Sequence, residues 1–279
     1  MPRRRWGQHF LRDDATARRL VKAAGVAPED TVLEIGPGTG RLTRALLERA
    51  SRVIAVEIDA ELAARLPDAV GRDDRLTVIQ ADAAATDLEG LLQELLRTGA
   101  TALCVANLPY ETATPILAGL LRARHRLRGI SLVVQREVAE RLAASPGSRA
   151  YGYLSVCTQD VAAVRVGLRL RPGAFRPPPR VESAQVHLTP RRAPRRGDLD
   201  GPGFRRFVAA LFTSRRKTLA NNLRHRTGLD GAAVGALLAA AGIDGAARPE
   251  TLDVAAFAAL YRAAAAGGVR IPGAAADPV

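Results

Sequence analysis

Thr31-Val32-Leu33-Glu34-Ile35-Gly36-Pro37-Gly38-Thr39-Gly40 decides the fold. Five residues of strand character run straight into glycines at alternate positions, and Leu42 to Ala50 then takes helical spacing. A strand that ends in a glycine turn and opens a helix is the first unit of a wound α/β sheet. Outward from it the alternation repeats. Strands are predicted at 52–58, 76–80, 102–106 and 129–135, and helices at 59–66, 88–98, 115–123 and 136–144. A helix at 13–25 precedes the unit, with Asp13 or Asp14 as its cap and Gly25 as its stop. Residues 153–166 read as strand, and 181–189 alternate as an edge or hairpin strand does. The whole predicts a doubly wound parallel sheet with a small antiparallel part at its end.

Pro190 to Gly203 is rich in Pro, Gly and Arg and reads as a linker. After it the pattern is helical at 204–211, 217–226, 232–241 and 254–265, which predicts a small all-α domain. The expected division is residues 1–190, a second domain at 203–266, and a disordered tail at 267–279. With 279 residues, 47% of them hydrophobic, the chain is long enough to bury a core. It has no apolar run of about 18 residues, so no membrane span is expected. Its basic start lacks the apolar segment of a secretion signal, which predicts a cytoplasmic protein. Cys104 and Cys157 are too few for a disulfide framework, and four scattered histidines do not complete a zinc site. No metal is expected. No spare apolar helix stripe is apparent, so a monomer is expected.

The net charge is +13, and 39 of the 41 basic residues are arginine. Residues 1–22 carry a net +5 and residues 191–230 a net +8, whereas 29–94 hold fourteen acids against seven bases. Basic segments outside an acidic early region predict an electropositive face for nucleic acid. Arg3, Arg4, Arg5, Arg176, Arg180, Arg215, Arg216 and Lys217 are its candidate phosphate contacts.

Gly36 and Gly38 let backbone approach a ligand closely. Glu57, 21 residues after Gly36 at the end of the next strand, is placed to accept from both hydroxyls of a ribose. The G-x-G-x-G spacing lacks the register of pyrophosphate binders, which favours a single nucleoside such as S-adenosylmethionine over a dinucleotide. Asp82 follows the third strand and suits an adenine amino group. Asn107-Leu108-Pro109-Tyr110 follows the fourth. The Asn107 side-chain carbonyl and the Leu108 backbone carbonyl would draw a planar amine toward the pyramidal form that attacks, and Tyr110 would stack on the base. Phe175, before Arg176-Pro177-Pro178-Pro179-Arg180, is a candidate second wall for that base.

Together these residues are recognisable. Gly7-Gln8-His9-Phe10-Leu11, Glu34 to Gly38, Val56 to Asp59 and Asn107 to Tyr110 resemble the rRNA adenine dimethyltransferase family. Gln135 to Leu142, Tyr151 to Val156, Phe175 to Ala184 and Arg215 to Leu219 extend the resemblance, in order, over about residues 3–265. It implies a Rossmann-like methyltransferase domain and two methyls carried from S-adenosylmethionine to N6 of each of two adjacent adenosines. These would lie in a hairpin loop near the 3′ end of small-subunit rRNA, in an assembling subunit. It also implies cofactor contacts at His9, Leu11, Gly36, Glu57, Asp82 and Asn107, and base contacts at Asn107, Leu108, Tyr110 and Phe175. Two other readings stand beside this one. One is a large-subunit rRNA methylase of the erythromycin-resistance type. The other is an assembly factor whose binding matters more than its turnover.

Overall fold

The computed structural model describes residues 8–214 and 217–269. Its strands are β1 (Phe10–Leu11), β2 (Thr31–Ile35), β3 (Arg52–Glu57), β4 (Leu76–Gln80), β5 (Ala102–Asn107), β6 (Leu127–Gln135), β7 (Ala162–Leu170), β8 (Phe175–Arg176) and β9 (Ser183–Pro190). Its helices are α1 (Asp14–Ala24), α2 (Arg41–Leu47), α3 (Ala60–Val70), α4 (Leu88–Leu95), α5 (Ala113–Arg122), α6 (Arg136–Ala143), α7 (Tyr153–Val161), α8 (Gly201–Phe212), α9 (Leu219–Thr227), α10 (Gly231–Ala240) and α11 (Val254–Ala266). None of the described helices is long and apolar enough to cross a membrane.

The described residues divide into two compact units. One comprises the chain up to Ala139 together with Val164–Pro190, and the other comprises Glu140–Ala163 together with the chain from Arg191.

The first unit is built on a seven-stranded sheet in the order β4-β3-β2-β5-β6-β9-β7. β4, β3, β2, β5 and β6 run parallel, and β9 returns antiparallel beside β6. The chain winds outward from β2 through β3 to β4, then crosses back to lay β5 on the other side of β2. That reversal is where open α/β sheets bind ligands. Here the β2–β5 ladder ends at Leu33 opposite Cys104, although β2 continues to Ile35 and β5 to Asn107. Past that point the strands part, and a crevice opens at their carboxyl ends. The helices start where local chemistry allows. Asp13 caps α1 by accepting from the Thr16 amide at 2.6 Å, and Gly25 ends it at φ +68°. Asp59 accepts from the amides of Glu61 and Leu62 to start α3.

β1 pairs with β8 in a separate two-stranded ribbon, Phe10 opposite Arg176 and Leu11 opposite Phe175. The ribbon ties the start of the described chain to the proline loop before β9. It also sends Phe175 inward, 2% exposed, into the core with Leu11, Leu20, Val105 and Leu170.

The second unit holds its own core, including Tyr151, Val156, Phe204, Leu223 and Phe257. Three sequence expectations are corrected here. The run at 153–166 is not one strand: α7 covers Tyr153–Val161, and β7 begins at Ala162. Val, Cys and Thr favour strand, but packing overrides that preference by burying Val156, Cys157 and Val161 on a helix. The polar members of the run are satisfied there. Ser155 Oγ accepts from the Gly152 amide and donates to the Arg141 carbonyl, and Asp160 pairs with Arg196. Residues 140–163, which the sequence reading put in the first domain, pack in this second unit, because Ala144, Tyr151 and Val156 supply part of its core. The linker is shorter than expected: α8 starts at Gly201, where Asp200 accepts from the Gly203 amide. The expected tail lies outside the described residues beyond Val269.

Phe175→Ala is expected to destabilise the protein by about 3–5 kcal/mol, the cost of a cavity at a buried aromatic. Denaturant unfolding checks this. A variant of unchanged stability would place the ring outside the core.

Candidate active site

A pocket with about 650 Å³ of empty space, open in part to solvent, lies at the crevice. Its walls come from the loops after β2, β3, β4 and β5 and from Gln8, His9 and Phe10. Of the residues the sequence singled out, His9, Gly36, Gly38, Glu57, Asp82, Asn107 and Leu108 line it. Leu11 lines a smaller adjoining cavity with Glu34, Gly36 and Asn107.

The glycines work by conformation and by space. Gly36 and Gly38 stand at φ +67° and +56°, where other residues are strained. A Cβ on Gly38 would come within 2.5 Å of the Phe10 ring, so the loop and the β1 segment close on each other only because Gly38 has no side chain.

Glu57 is 1% exposed at the end of β3. Its two carboxylate oxygens accept from the amides of Gly38 (3.0 Å) and Asp59 (3.1 Å), which fixes the group's orientation. Burial raises its pKa above the ordinary glutamate value, and those two hydrogen bonds pull the other way. Each oxygen keeps a further lone pair for a ligand hydroxyl. Asp82 is exposed on the pocket wall, with one oxygen accepting from the Ala84 amide at 2.9 Å.

Glu34 was missed as a site residue. It is 1% exposed on β2, and both its carboxylate oxygens lack a hydrogen-bond partner. Burial pushes its pKa up to about 8, the nearby Thr43 hydroxyl opposes this, and the charge of Glu57 adds to it. An orphaned buried carboxyl beside a cavity is costly unless a ligand uses it. The signal was in the sequence as an acid in an otherwise apolar strand, two residues before Gly36.

Asn107 ends β5, and its Nδ2 donates to the His9 carbonyl at 2.8 Å. The amide oxygen is thereby left as the acceptor available to the pocket. His9 Nδ1 donates to the Pro177 carbonyl at 2.7 Å, and the His9 ring stacks beside Tyr110. Asn107, His9, Tyr110 and the proline loop thus form one connected cluster. Tyr110 stands at the margin of the pocket rather than in its lining. Phe175 is buried: its pairing with Leu11 turns the ring toward the core, and it is not among the residues that line the pocket. Arg176, Arg180 and Lys217 are exposed, while Arg3, Arg4, Arg5, Arg215 and Arg216 lie outside the described residues. Among the described residues no group of three or more His, Cys, Asp or Glu side chains is placed to hold a metal ion.

The family described as Ribosomal RNA adenine dimethylase matches residues 2–265. The chain belongs to that family. It is 42% identical over 256 residues to the Ribosomal RNA small subunit methyltransferase A of Acidobacterium capsulatum, covering 92% of this chain and 89% of that one. A dimethyladenosine transferase from Plasmodium falciparum shares the fold, with a TM-score of 0.76 and 24% identity over 94% of this chain and 99% of the other. The 23S rRNA methyltransferase ErmE matches with a TM-score of 0.67 and 26% identity over 91% of this chain and 98% of its own. The chain is an S-adenosylmethionine-dependent rRNA adenine dimethyltransferase.

The pocket fits that methyl donor. S-adenosylmethionine presents an ammonium, a ribose diol and an adenine amino group. The unpartnered Glu34 carboxyl in the adjoining cavity suits the first, the spare lone pairs of Glu57 the second, and Asp82 the third.

A raised carboxyl pKa has a definite sign in stability. Glu34 keeps its proton in the fold near neutrality but ionises in the unfolded chain. The stability this contributes is complete below the ordinary glutamate pKa and is lost as pH rises to about 8. Glu34→Gln is therefore expected to melt higher than the parent protein near pH 8 and alike near pH 4, read by calorimetry across that range. Parallel melting curves would show that Glu34 is ionised in the fold.

Proposed function

We propose that this protein dimethylates N6 of two adjacent adenosines in the 3′-terminal hairpin loop of small-subunit rRNA. It does so on the assembling small subunit, in the cytoplasm and as a monomer. The observation that carries the reading is the Asn107-Leu108-Pro109-Tyr110 turn held at the mouth of a pocket that fits S-adenosylmethionine. The choice of subunit is supported by curated relatives 39–44% identical, all named Ribosomal RNA small subunit methyltransferase A. Identity to the 23S enzyme is 26%. The monomer is supported by the surface: Val181 is the one large apolar side chain exposed among the described residues, so no apolar patch invites a second copy.

Bound S-adenosylmethionine supplies an electrophilic methyl on a sulfonium, open to in-line displacement. The protein's part is to make an unreactive amine attack it. The adenine N6 lone pair is delocalised into the ring. The Asn107 amide oxygen and the Leu108 carbonyl accept the two N6 hydrogens, which favours the pyramidal geometry of the transition state over the planar ground state. The Asn107–His9 bond holds that acceptor in place before the base arrives. Pro109 fixes the turn, and Tyr110 offers a face for the base. The methylated nitrogen is acidic enough to lose its proton to water, so no general base is needed. Arg176, Arg180 and Lys217, with the arginines at 3–5 and 215–216, meet phosphates.

The test is methyl transfer from labelled S-adenosylmethionine to undermethylated small subunits, naked small-subunit rRNA and large-subunit rRNA, with products digested to nucleosides. Dimethyladenosine on the small subunit alone is expected. Label on large-subunit rRNA would move the protein to the resistance methylases. Asn107→Ala should lower turnover at least about 100-fold, the usual cost of a transition-state acceptor or donor. Subunit assembly that proceeds normally with Asn107→Ala would favour the assembly-factor reading. Affinity for RNA should fall steeply with salt as released counterions are replaced, and a flat response would remove the basic face from the account.

A further inference from the structure

Two contacts hold the Tyr110 side chain. Its face meets the His9 ring, with centroids 5.2 Å apart and planes tilted by 36°. Its hydroxyl bonds Ser183 Oγ at 2.6 Å. Ser183 is fully buried, the first residue of β9, opposite Gln135 on β6. A hydroxyl at such a position is less favourable than a methyl unless it is bonded. Tyr110 is the partner the structure gives it.

The bond does something the tyrosine's own torsions do not. The Cα–Cβ torsion has three staggered wells, and a bond at the far end of the ring, on the Cβ–Cγ axis, selects one of them. Ser183 is a rigid anchor for that bond, because the segment before it is pinned at both ends. The Pro177 carbonyl accepts from His9 at one end. At the other, Glu182 pairs with Arg136 at 2.7 Å, and its carbonyl accepts the Arg136 amide at 2.9 Å. Burial also holds the Tyr110 phenol above its ordinary pKa, so the hydroxyl stays neutral through the physiological range.

We propose that Ser183 is a positioning residue for methyl transfer: its hydroxyl anchors the far end of the Tyr110 ring on which the target adenine stacks. This rests on the stacking role of Tyr110 given above. A ring free to swing between wells would let the base settle in several places, few of which align N6 for attack. The loss then falls on turnover rather than on cofactor binding.

The experiment compares Ser183→Ala, Tyr110→Phe, the double variant and Tyr110→Ala. Methyl transfer to undermethylated small subunits gives kcat and KM, calorimetry gives S-adenosylmethionine affinity, and melting is measured alongside. Ser183→Ala is expected to lower kcat about tenfold, with cofactor affinity and KM within about twofold of the parent. Tyr110→Phe removes the same bond from the other side and should match it. The double variant should be no worse than the poorer single one. Three results would overturn the proposal. One is a Ser183→Ala kcat within about twofold of the parent while Tyr110→Ala abolishes turnover, which leaves stacking intact and removes only the positioning role. Another is a Ser183→Ala loss that moves cofactor affinity and melting together with kcat, which makes the serine merely structural. The last is full turnover by Tyr110→Ala, which removes the stacking role and the positioning role with it.

Discussion

Everything at the site depends on where two parallel strands stop bonding. β2 and β5 are neighbours through Leu33 and Cys104, and beyond that pair their backbones separate. The cause is topological. The chain leaves β2 in one direction through β3 and β4 and returns on the other side at β5, so the loops that follow β2 and β5 turn away from each other. The gap is floored by Glu34 and Ile35 from one strand and edged by Asn107 from the other. Had β5 been laid beyond β4, the glycine turn and the Asn-Leu-Pro-Tyr turn would stand on different parts of the sheet, and neither could complete the other.

The same geometry separates charges of opposite sign. The chain carries +13 overall, yet the carboxyls of Glu57 and Asp82 wall the pocket and that of Glu34 lines the cavity beside it. A cationic methyl donor and a polyanionic acceptor place opposite demands on one surface. Acids spread over the outside would repel rRNA, and arginines in the crevice would repel a sulfonium. Burying two of the three acids answers the first demand. Glu34 and Glu57 are nearly inaccessible, and burial biases both toward their neutral forms, so their field at the surface is weakened until a ligand engages them.

What the sequence made legible was set by range. The glycine turn, the acid at the end of β3 and the Asn-Leu-Pro-Tyr turn were readable because each is a local pattern bound to a strand end, and the sheet brings strand ends together without further instruction. α7 was unreadable as a helix, because its Val, Cys and Thr residues carry strand preference and become helical only through packing with α8 and α11. The place of Phe175 was equally hidden. Whether an aromatic beside a proline loop faces a ligand or the core depends on its partner across the β1–β8 ribbon, and that partner, Leu11, lies 164 residues earlier. Glu34 failed for a different reason: its position was plain, but only the structure shows that nothing bonds it.

These long-range contacts converge on one cluster. The Asn107 amide is bonded to the His9 carbonyl, the His9 ring to the Pro177 carbonyl, and the Tyr110 hydroxyl to Ser183. Each link joins segments distant in sequence, so the cost of ordering them is met when the protein folds. Catalysis by hydrogen-bond acceptors aimed at an amine is effective only where the acceptors need not reorganise as the transition state forms. A flexible Asn107 would follow the planar ground state as readily as the pyramidal one and gain nothing. On the proposed mechanism the β1–β8 ribbon therefore matters to the reaction: it delivers His9 to the place where its carbonyl holds Asn107.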